Sequence, residues 1–595
     1  MNKPLMLACA AASSFLFAAG LPNEIFAQGL APLGYLALVP LYFALGAAPS
    51  YGFAALACAL YGGLHHALSS YWLFYFKDFA LYTIGATTIA YTFLYAVLGM
   101  YLTFFLKKSG KFRPLGFALV WAGFEYLKST SFLGYPWGLL PYTHTEVLTA
   151  LQIADITGIY GISFVLAFAN AVIAESLFAH GASAVAAIPP LYGLPHFERL
   201  SRFQKWRQNR IAGSAKRNKE NTGKRSSFGK TATPSVRARA GQNLPFSASL
   251  TLGYGLSAIG ILAILFGYGA IRLAIPIPEK GYFNALIVQQ NKDPWSEGSD
   301  ATIAANIALA RDALAKESRA DEKTPGSGRE PDLILFSESS VSAPFRESRE
   351  LLERHPSGDP LLPFIRESGT YFFFGSPNII SRNPFQATNS VFLVGPDAEI
   401  IDDYAKIQLV PFAEVIPFWE YAWFRKFMQN VIGLGSGWSK GDRFTIFTLP
   451  TRSGEIKFGA PICFEDAWTG ICREFALRGA DIFINLTNDS WSRTVSAEVQ
   501  HFAAARFRSI EFRKPMIRST NGGVSCVLGP YGEVRASLPL FEPRAEIFRV
   551  PLMDTMPPTL YQRFGDWFAQ GTLLLSAIWA IILVMRNRGA KRRRT

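Results

Sequence analysis

Gly459-Ala460-Pro461-Ile462-Cys463-Phe464-Glu465-Asp466 sets a lone thiol directly after a run, 458–462, that reads as a β-strand. Upstream, a carboxylate ends the apolar run Asp332-Leu333-Ile334-Leu335-Phe336-Ser337-Glu338-Ser339. An amine stands in Asp403-Tyr404-Ala405-Lys406-Ile407-Gln408-Leu409-Val410. A thiol, a carboxylate and an amine, each at the end of an apolar run, are the parts of a nucleophile with its own base and oxyanion partner. Taken singly, each has an ordinary structural reading: a buried small hydrophobe for Cys463, surface residues for Glu338 and Lys406.

Around these three, residues 278–562 alternate strand-like runs (285–289, 333–336, 371–374, 390–394, 458–462, 482–486, 516–519) with helical patterns (302–316, 466–478, 497–511). The alternation predicts an α/β domain with packed sheets and helices outside. Groups at the carboxyl ends of strands in such a domain converge on one crevice.

The remainder of the chain is of another kind. At 595 residues, half of them hydrophobic, it is too long for one domain. Residues 4–23, 25–76, 79–106, 156–174, 240–271 and 567–585 hold no Asp, Glu, Lys or Arg. A helix crosses a bilayer with about 20 apolar residues. Eight spans are expected, near 4–22, 29–47, 52–75, 79–106, 114–129, 156–178, 247–271 and 567–585. The first carries only Lys3 on its flank and is followed at once by further spans, so it reads as a retained helix. The expected organisation is a membrane domain over 1–277, with about seven spans and a basic linker near 195–243. A catalytic domain over 278–562 and a last span with a basic tail over 563–595 complete it.

The net charge of +14 is concentrated in two places. Residues 199–239 carry thirteen Lys/Arg against Glu220 alone, and the tail from Arg586 carries six more with no acid. Basic segments next to spans are the positive-inside signature, favoured here over nucleic-acid binding. With the N-terminus inside, the clusters at 107–113, in the linker and in the tail all fall on the cytoplasmic side, and 278–562 falls on the other. Five cysteines without paired spacing argue against a disulfide framework or a zinc site.

The flanks of the three site residues resemble the nitrilase (carbon–nitrogen hydrolase) superfamily. So do Asn485-Leu486-Thr487-Asn488-Asp489-Ser490-Trp491, Gln500-His501, Arg506, Arg508, Glu511, Arg518 and Asn521-Gly522-Gly523, over roughly 280–550. With the spans, and with Gly134-Tyr135-Pro136-Trp137-Gly138 and Gly158-Ile159-Tyr160-Gly161-Ile162-Ser163-Phe164, the whole chain resembles the apolipoprotein N-acyltransferases of the bacterial inner membrane. The resemblance implies an α-β-β-α sandwich on the periplasmic side of a multi-pass protein with both termini in the cytoplasm. It implies Cys463 as nucleophile, Glu338 as base and Lys406 as oxyanion partner, together with the N–H of Phe464. The reaction implied moves a fatty acid from a phospholipid donor, through a thioester, to the α-amine of a diacylated lipoprotein. No cofactor, metal or nucleic acid is implied.

By the same resemblance Glu414 and Glu465 are supporting carboxylates and Trp295 is a site tryptophan. Two departures stand out: Phe464 where the family often has Tyr, and Ser337 before the base where Pro is usual. The aromatic stretch holding Phe418, Trp419, Trp423 and Phe424 reads as an arm at the membrane interface or as a packed lid helix. Glu125 inside a span is either functional or a hydrogen-bonding partner within the bundle. His65 and His66 read as helix packing. Two rival readings remain: a membrane-tethered amidase hydrolysing a C–N bond, and a silent lipid-binding scaffold.

Overall fold

The computed structural model describes every residue except 77–79, 131–133, 188–247, 293–297, 324–328, 355–360, 412, 417, 433–436 and 593–595. Trp295 and the whole basic linker near 195–243 lie outside the described residues. The chain forms two compact units: Met1–Ala174 with Ser257–Thr595, and Glu175–Leu256, whose described residues are helical.

The catalytic-domain strands run in chain order as β1 (Glu279–Gln289), β2 (Leu333–Phe336), β3 (Tyr371–Arg382), β4 (Phe385–Val394), β5 (Ile400–Ala405), β6 (Ile446–Thr451), β7 (Gly454–Gly459), β8 (Ile482–Asn488), β9 (Met516–Asn521), β10 (Cys526–Leu528), β11 (Val534–Ser537) and β12 (Arg544–Met553). They make two six-stranded sheets, ordered β12-β1-β2-β3-β4-β5 and β11-β10-β9-β8-β7-β6. Strands β1, β2 and β3 are parallel to one another, as are β7, β8 and β9.

Alternation along the strands explains the sandwich. Leu333, Leu335 and Phe373 point into the layer between the sheets, where Phe373 meets Phe447 and Phe458 at 5.1 Å. Their neighbours Ile334, Phe336, Phe372 and Phe374 point the other way. There they meet Ile303, Ile307, Ala310 and Ala313, one stripe of the helix Ser299–Lys323. A strand covered on both faces reads as a continuous apolar run, which is why 333–336 was legible.

The membrane half contains α1 (Lys3–Gly20), α2 (Tyr51–Ser69), α3 (Ala80–Lys108), α4 (Arg113–Thr130), α5 (Ile159–Ala187) and α6 (Ala248–Ala274), with α7 (Trp567–Arg592) following the catalytic domain. Among the described residues, five helices are long and apolar enough to cross a membrane: Lys3–Gly20, Thr83–Lys108, Ile159–Phe178, Gly253–Ala274 and Trp567–Arg588. The expected span at 29–47 differs. It is a shorter helical path, Ala31–Gly46, that loosens at 35–38, where Asn170 takes the N–H of Leu38 and the carbonyl of Gly34 out of the helical ladder and Pro40 has no N–H to offer it. The span expected at 52–75 also stops being α-helical at Ser69, and 71–75 tighten into a 3₁₀ turn.

The two halves of the first unit are joined by polar contacts. Glu24 accepts from the backbone N–H of Val495 at 3.3 Å and of Ser496 at 3.1 Å, capping the helix Val495–Phe512 from the membrane half. Gln500 on that helix donates to the carbonyls of Pro22 and Ser69 at 3.0 and 3.1 Å.

Candidate active site

Glu338 follows β2, Lys406 follows β5 and Cys463 follows β7, so strand direction alone brings them to one end of the sandwich. All three are buried, with 5, 1 and 7% of their surface exposed. Close packing there depends on Gly375 of β3, where a Cβ would lie 2.8 Å from the Cα of Glu338.

A hydrogen-bonded core ties the carboxylates to the amine. Lys406 Nζ donates to Glu414 Oε1 at 2.9 Å and to Glu338 Oε1 at 3.4 Å. Asn389 Nδ2, from β4, donates to the same two oxygens at 2.9 and 2.8 Å. The second oxygen of Glu338 accepts the N–H of Asn488 at 2.9 Å, and that of Glu414 accepts the N–H of Val410 at 2.9 Å. Burial alone would lower the Lys406 ammonium. Glu414, with Cys463 and Glu338, outweighs burial and holds it well above its ordinary value. Burial, reinforced by the nearby Glu338 carboxylate, pushes the Cys463 thiol well above its ordinary value. The resting Cys463 side chain is therefore a thiol, and a base would have to take its proton before the sulfur could attack as thiolate.

Cys463 opens a 3₁₀ turn, Cys463–Ala467, with φ at 51°, a left-handed conformation that costs a non-glycine residue about 1–3 kcal/mol. Specific contacts over-determine it. Asn485 Nδ2 donates to the carbonyls of Pro461 and Cys463 at 2.9 and 3.0 Å. Glu465 accepts the N–H of Ile462 at 2.8 Å with one oxygen and the N–H groups of Ile407 and Gln408 at 2.8 Å with the other. Tyr404 donates its hydroxyl to both oxygens at 3.0 Å. Glu465 thus binds the nucleophile's turn to the lysine's loop. Burial raises its carboxyl to about 7 against these donors. Behind the turn, His501 lies between Asp466 at 2.9 Å and Asp489 at 3.0 Å, and Arg518 pairs with Asp466.

The three residues line a cavity of about 830 Å³. Its opposite wall is one face of α3: Thr83, Ala86, Thr87, Ala90, Tyr91 and Leu94, spaced as a single helical stripe. Trp137 and Trp491 also line it. A site on the α/β domain therefore opens onto a helix apolar enough to cross a membrane.

The structure brings together Glu338, Lys406, Cys463, Glu414, Phe464 and Glu465. Of the arm residues, Trp423 and Phe424 lie on a short helix, Ala422–Phe427, with no buried residue, and Phe418 and Trp419 in the turn before it. Phe418 and Trp423 are 45 and 71% exposed. The arm's neck is part of the site, because Trp438 N–H donates to the carbonyl of Glu414 at 2.8 Å and closes the loop. Asn389 was missed by sequence reasoning, and Asn485 stood in a quoted motif without a role. A polar triplet, Thr388-Asn389-Ser390, buried inside a strand-like run was the available signal.

A two-sheet sandwich with a buried cysteine, carboxylate and lysine at its strand ends is of the carbon–nitrogen hydrolase class, and residues 293–552 match the Carbon-nitrogen hydrolase family. Residues 13–172 match the Apolipoprotein N-acyltransferase N-terminal domain. The chain is 34% identical to apolipoprotein N-acyltransferase 2 of Treponema denticola over 583 residues, 97% of each chain. It is 30% identical to the apolipoprotein N-acyltransferase of Borreliella burgdorferi, covering 94% of this chain and 92% of that one. Among solved structures, a carbon-nitrogen hydrolase from Helicobacter pylori aligns with 51% of this chain and 94% of its own at 16% identity, with a TM-score of 0.32. The chain belongs to the apolipoprotein N-acyltransferase family.

Proposed function

We propose that this protein transfers a fatty acyl chain from a membrane phospholipid, through a thioester on Cys463, to the N-terminal α-amine of a diacylglyceryl-cysteine lipoprotein. The observation that carries the reading is the cavity, which joins Glu338, Lys406 and Cys463 to the apolar face of α3. A soluble amide needs no such wall; an ester held in a bilayer does.

In the proposed reaction Glu338 takes the thiol proton and the Cys463 sulfur attacks the ester carbonyl carbon. The oxyanion is met by the Lys406 ammonium and the backbone N–H of Phe464. Collapse breaks the ester C–O bond, and the proton on Glu338 passes to the departing lysophospholipid oxygen. The acceptor amine then attacks the thioester, gives its proton to Glu338 and displaces the sulfur, which is reprotonated. Asn389 and Glu414 hold Glu338 and Lys406 in place through both halves.

We also propose that 1–277, 278–562 and 563–595 are the functional divisions. Eight crossings, the distorted 31–46 path among them, would set both termini in the cytoplasm of a bacterial inner membrane. The catalytic domain would then lie on the periplasmic side. The basic clusters at 107–113 and after Arg586 support that orientation.

Incubating the purified protein with phospholipid and weighing it by mass spectrometry tests the function. The expected result is a fatty-acyl mass on Cys463, absent in Cys463→Ala and discharged by a diacylated lipopeptide. Turnover of a soluble amide with no acyl adduct would favour the amidase reading instead.

A further inference from the structure

Glu125 and Lys128 are buried on α4, 1 and 5% exposed, inside an otherwise apolar helix. Charged side chains at such positions are costly and need partners. Among the described residues the two form no ion pair with each other; each grips the backbone of the segment 137–140. Lys128 Nζ donates to the carbonyl of Trp137 and, at 3.4 Å, to that of Gly138. Glu125 Oε1 accepts the N–H of Leu140 at 2.9 Å and Trp121 Nε1 at 3.1 Å. His65 Nε2 lies 3.3 Å from the Gly138 carbonyl. Gly138 has φ at 61°, and a Cβ there would sit 3.0 Å from His65, so this turn of the segment requires glycine.

The gripped segment ends against the nucleophile's neighbour. The Trp137 indole meets the Phe464 ring edge-to-face at 4.6 Å, and His501 meets the same ring from the catalytic domain at 4.9 Å. Asn485 holds the Cys463 carbonyl of the peptide that carries the Phe464 N–H, and because Phe464 has no hydroxyl with which to anchor itself, packing between these two rings holds the other side of that peptide. We propose that Glu125 and Lys128 are positioning residues which, through Trp137, set the Phe464 N–H for the oxyanion at Cys463. This rests on the acyl-transfer reading above.

The test uses the full-length protein and separates the oxyanion from the thiol. Attack on an ester builds an oxyanion; alkylation of Cys463 by iodoacetamide, a displacement at a saturated carbon, does not. In K128M the rate of Cys463 acylation at saturating phospholipid should fall roughly 10- to 100-fold, somewhat less than or equal to the loss of a whole oxyanion donor. Half-saturating phospholipid and the alkylation rate should stay within about twofold, and K128R should recover much of the loss. Unchanged acylation, or acylation and alkylation falling together, overturns the proposal. Should K128M fail to accumulate, W137L carries the test from the other side of the ring contact through the ratio of acylation to alkylation rate at saturating phospholipid, with the same two outcomes for that ratio; its half-saturation is left out because Trp137 lines the cavity. If the wild-type protein itself forms no acyl-enzyme, the acyl-transfer reading falls, and this proposal with it.

Discussion

Glu465 accepts the backbone N–H of Ile407 at 2.8 Å, and so fastens the residue after the site lysine to the turn that begins with Cys463. Its other oxygen accepts the N–H of Ile462, immediately before Cys463. In Glu465→Gln an amide NH₂ must replace one acceptor and face a backbone donor. An unsatisfied buried donor costs about 1–3 kcal/mol, so E465Q should lower the unfolding free energy by that amount. Because the loop and the turn separate, it should also slow acylation of Cys463. Thermal unfolding with mass-spectrometric acylation rates checks both; an E465Q protein of native stability and rate would refute the fastening role.

The same residue makes a pH prediction. Its folded carboxyl lies at about 7, above the ordinary 4.5, because burial disfavours the charged form. The folded state therefore binds this proton more tightly than the unfolded state. The stabilisation is fully present below about 4.5 and is lost as pH rises through about 7. The difference in unfolding midpoint between wild type and E465Q should change across that window and be flat above about pH 8. A constant difference from pH 4 to 9 would contradict the assignment.

Asn389 donates one amide nitrogen to Glu338 and Glu414, which it holds beside Lys406. Asn389→Ala leaves the two buried carboxylates with Lys406 as their shared side-chain donor. General-base catalysis is worth about 10²–10⁴-fold; a base that is misplaced rather than removed should lose about 10–100-fold. Both acylation and iodoacetamide alkylation of Cys463 should fall in N389A, since both need the thiolate. That joint loss distinguishes a base defect from an oxyanion defect, and wild-type alkylation in N389A would argue against it.

Glu338 was legible because it follows β2, a strand buried on both faces that reads as an unbroken apolar run. The strand expected at 458–462 is instead β7, Gly454–Gly459, half-exposed with Glu455 and Lys457 in it, and Cys463 lies past its end. Strands β5 (Ile-Ile-Asp-Asp-Tyr-Ala) and β11 (Val-Arg-Ala-Ser) escaped because they are half-exposed and carry charge among few apolar residues. The break at 35–38 escaped because hydropathy counts apolar residues and registers neither a missing N–H nor a side chain such as Asn170 entering the ladder from far along the chain. The contacts of Glu465 with Ile407, of Asn389 with Glu338 and of Trp137 with Phe464 join residues 58, 51 and more than 300 positions apart. Distances of that kind are set by the sandwich and have no local signature.

The exposed arm gives the last prediction. Phe418, Tyr421, Trp423 and Phe427 are 45, 53, 71 and 47% exposed on a loop whose neck includes Glu414, a partner of Lys406. Apolar rings left uncovered next to Arg425 and Lys426 suit a membrane interface, where the rings enter the headgroup region and the cations meet lipid phosphate. Burying part of one such ring is worth about 1 kcal/mol, or roughly fivefold in affinity. Trp423→Glu should therefore raise the phospholipid concentration needed for half-maximal acylation by about that factor, while the maximal acylation rate and the alkylation of Cys463 stay near wild type. The effect should shrink when the donor is a short-chain phospholipid dispersed as monomers, because no surface then has to be engaged. A loss of maximal rate with either donor would instead make the arm part of the catalytic lid.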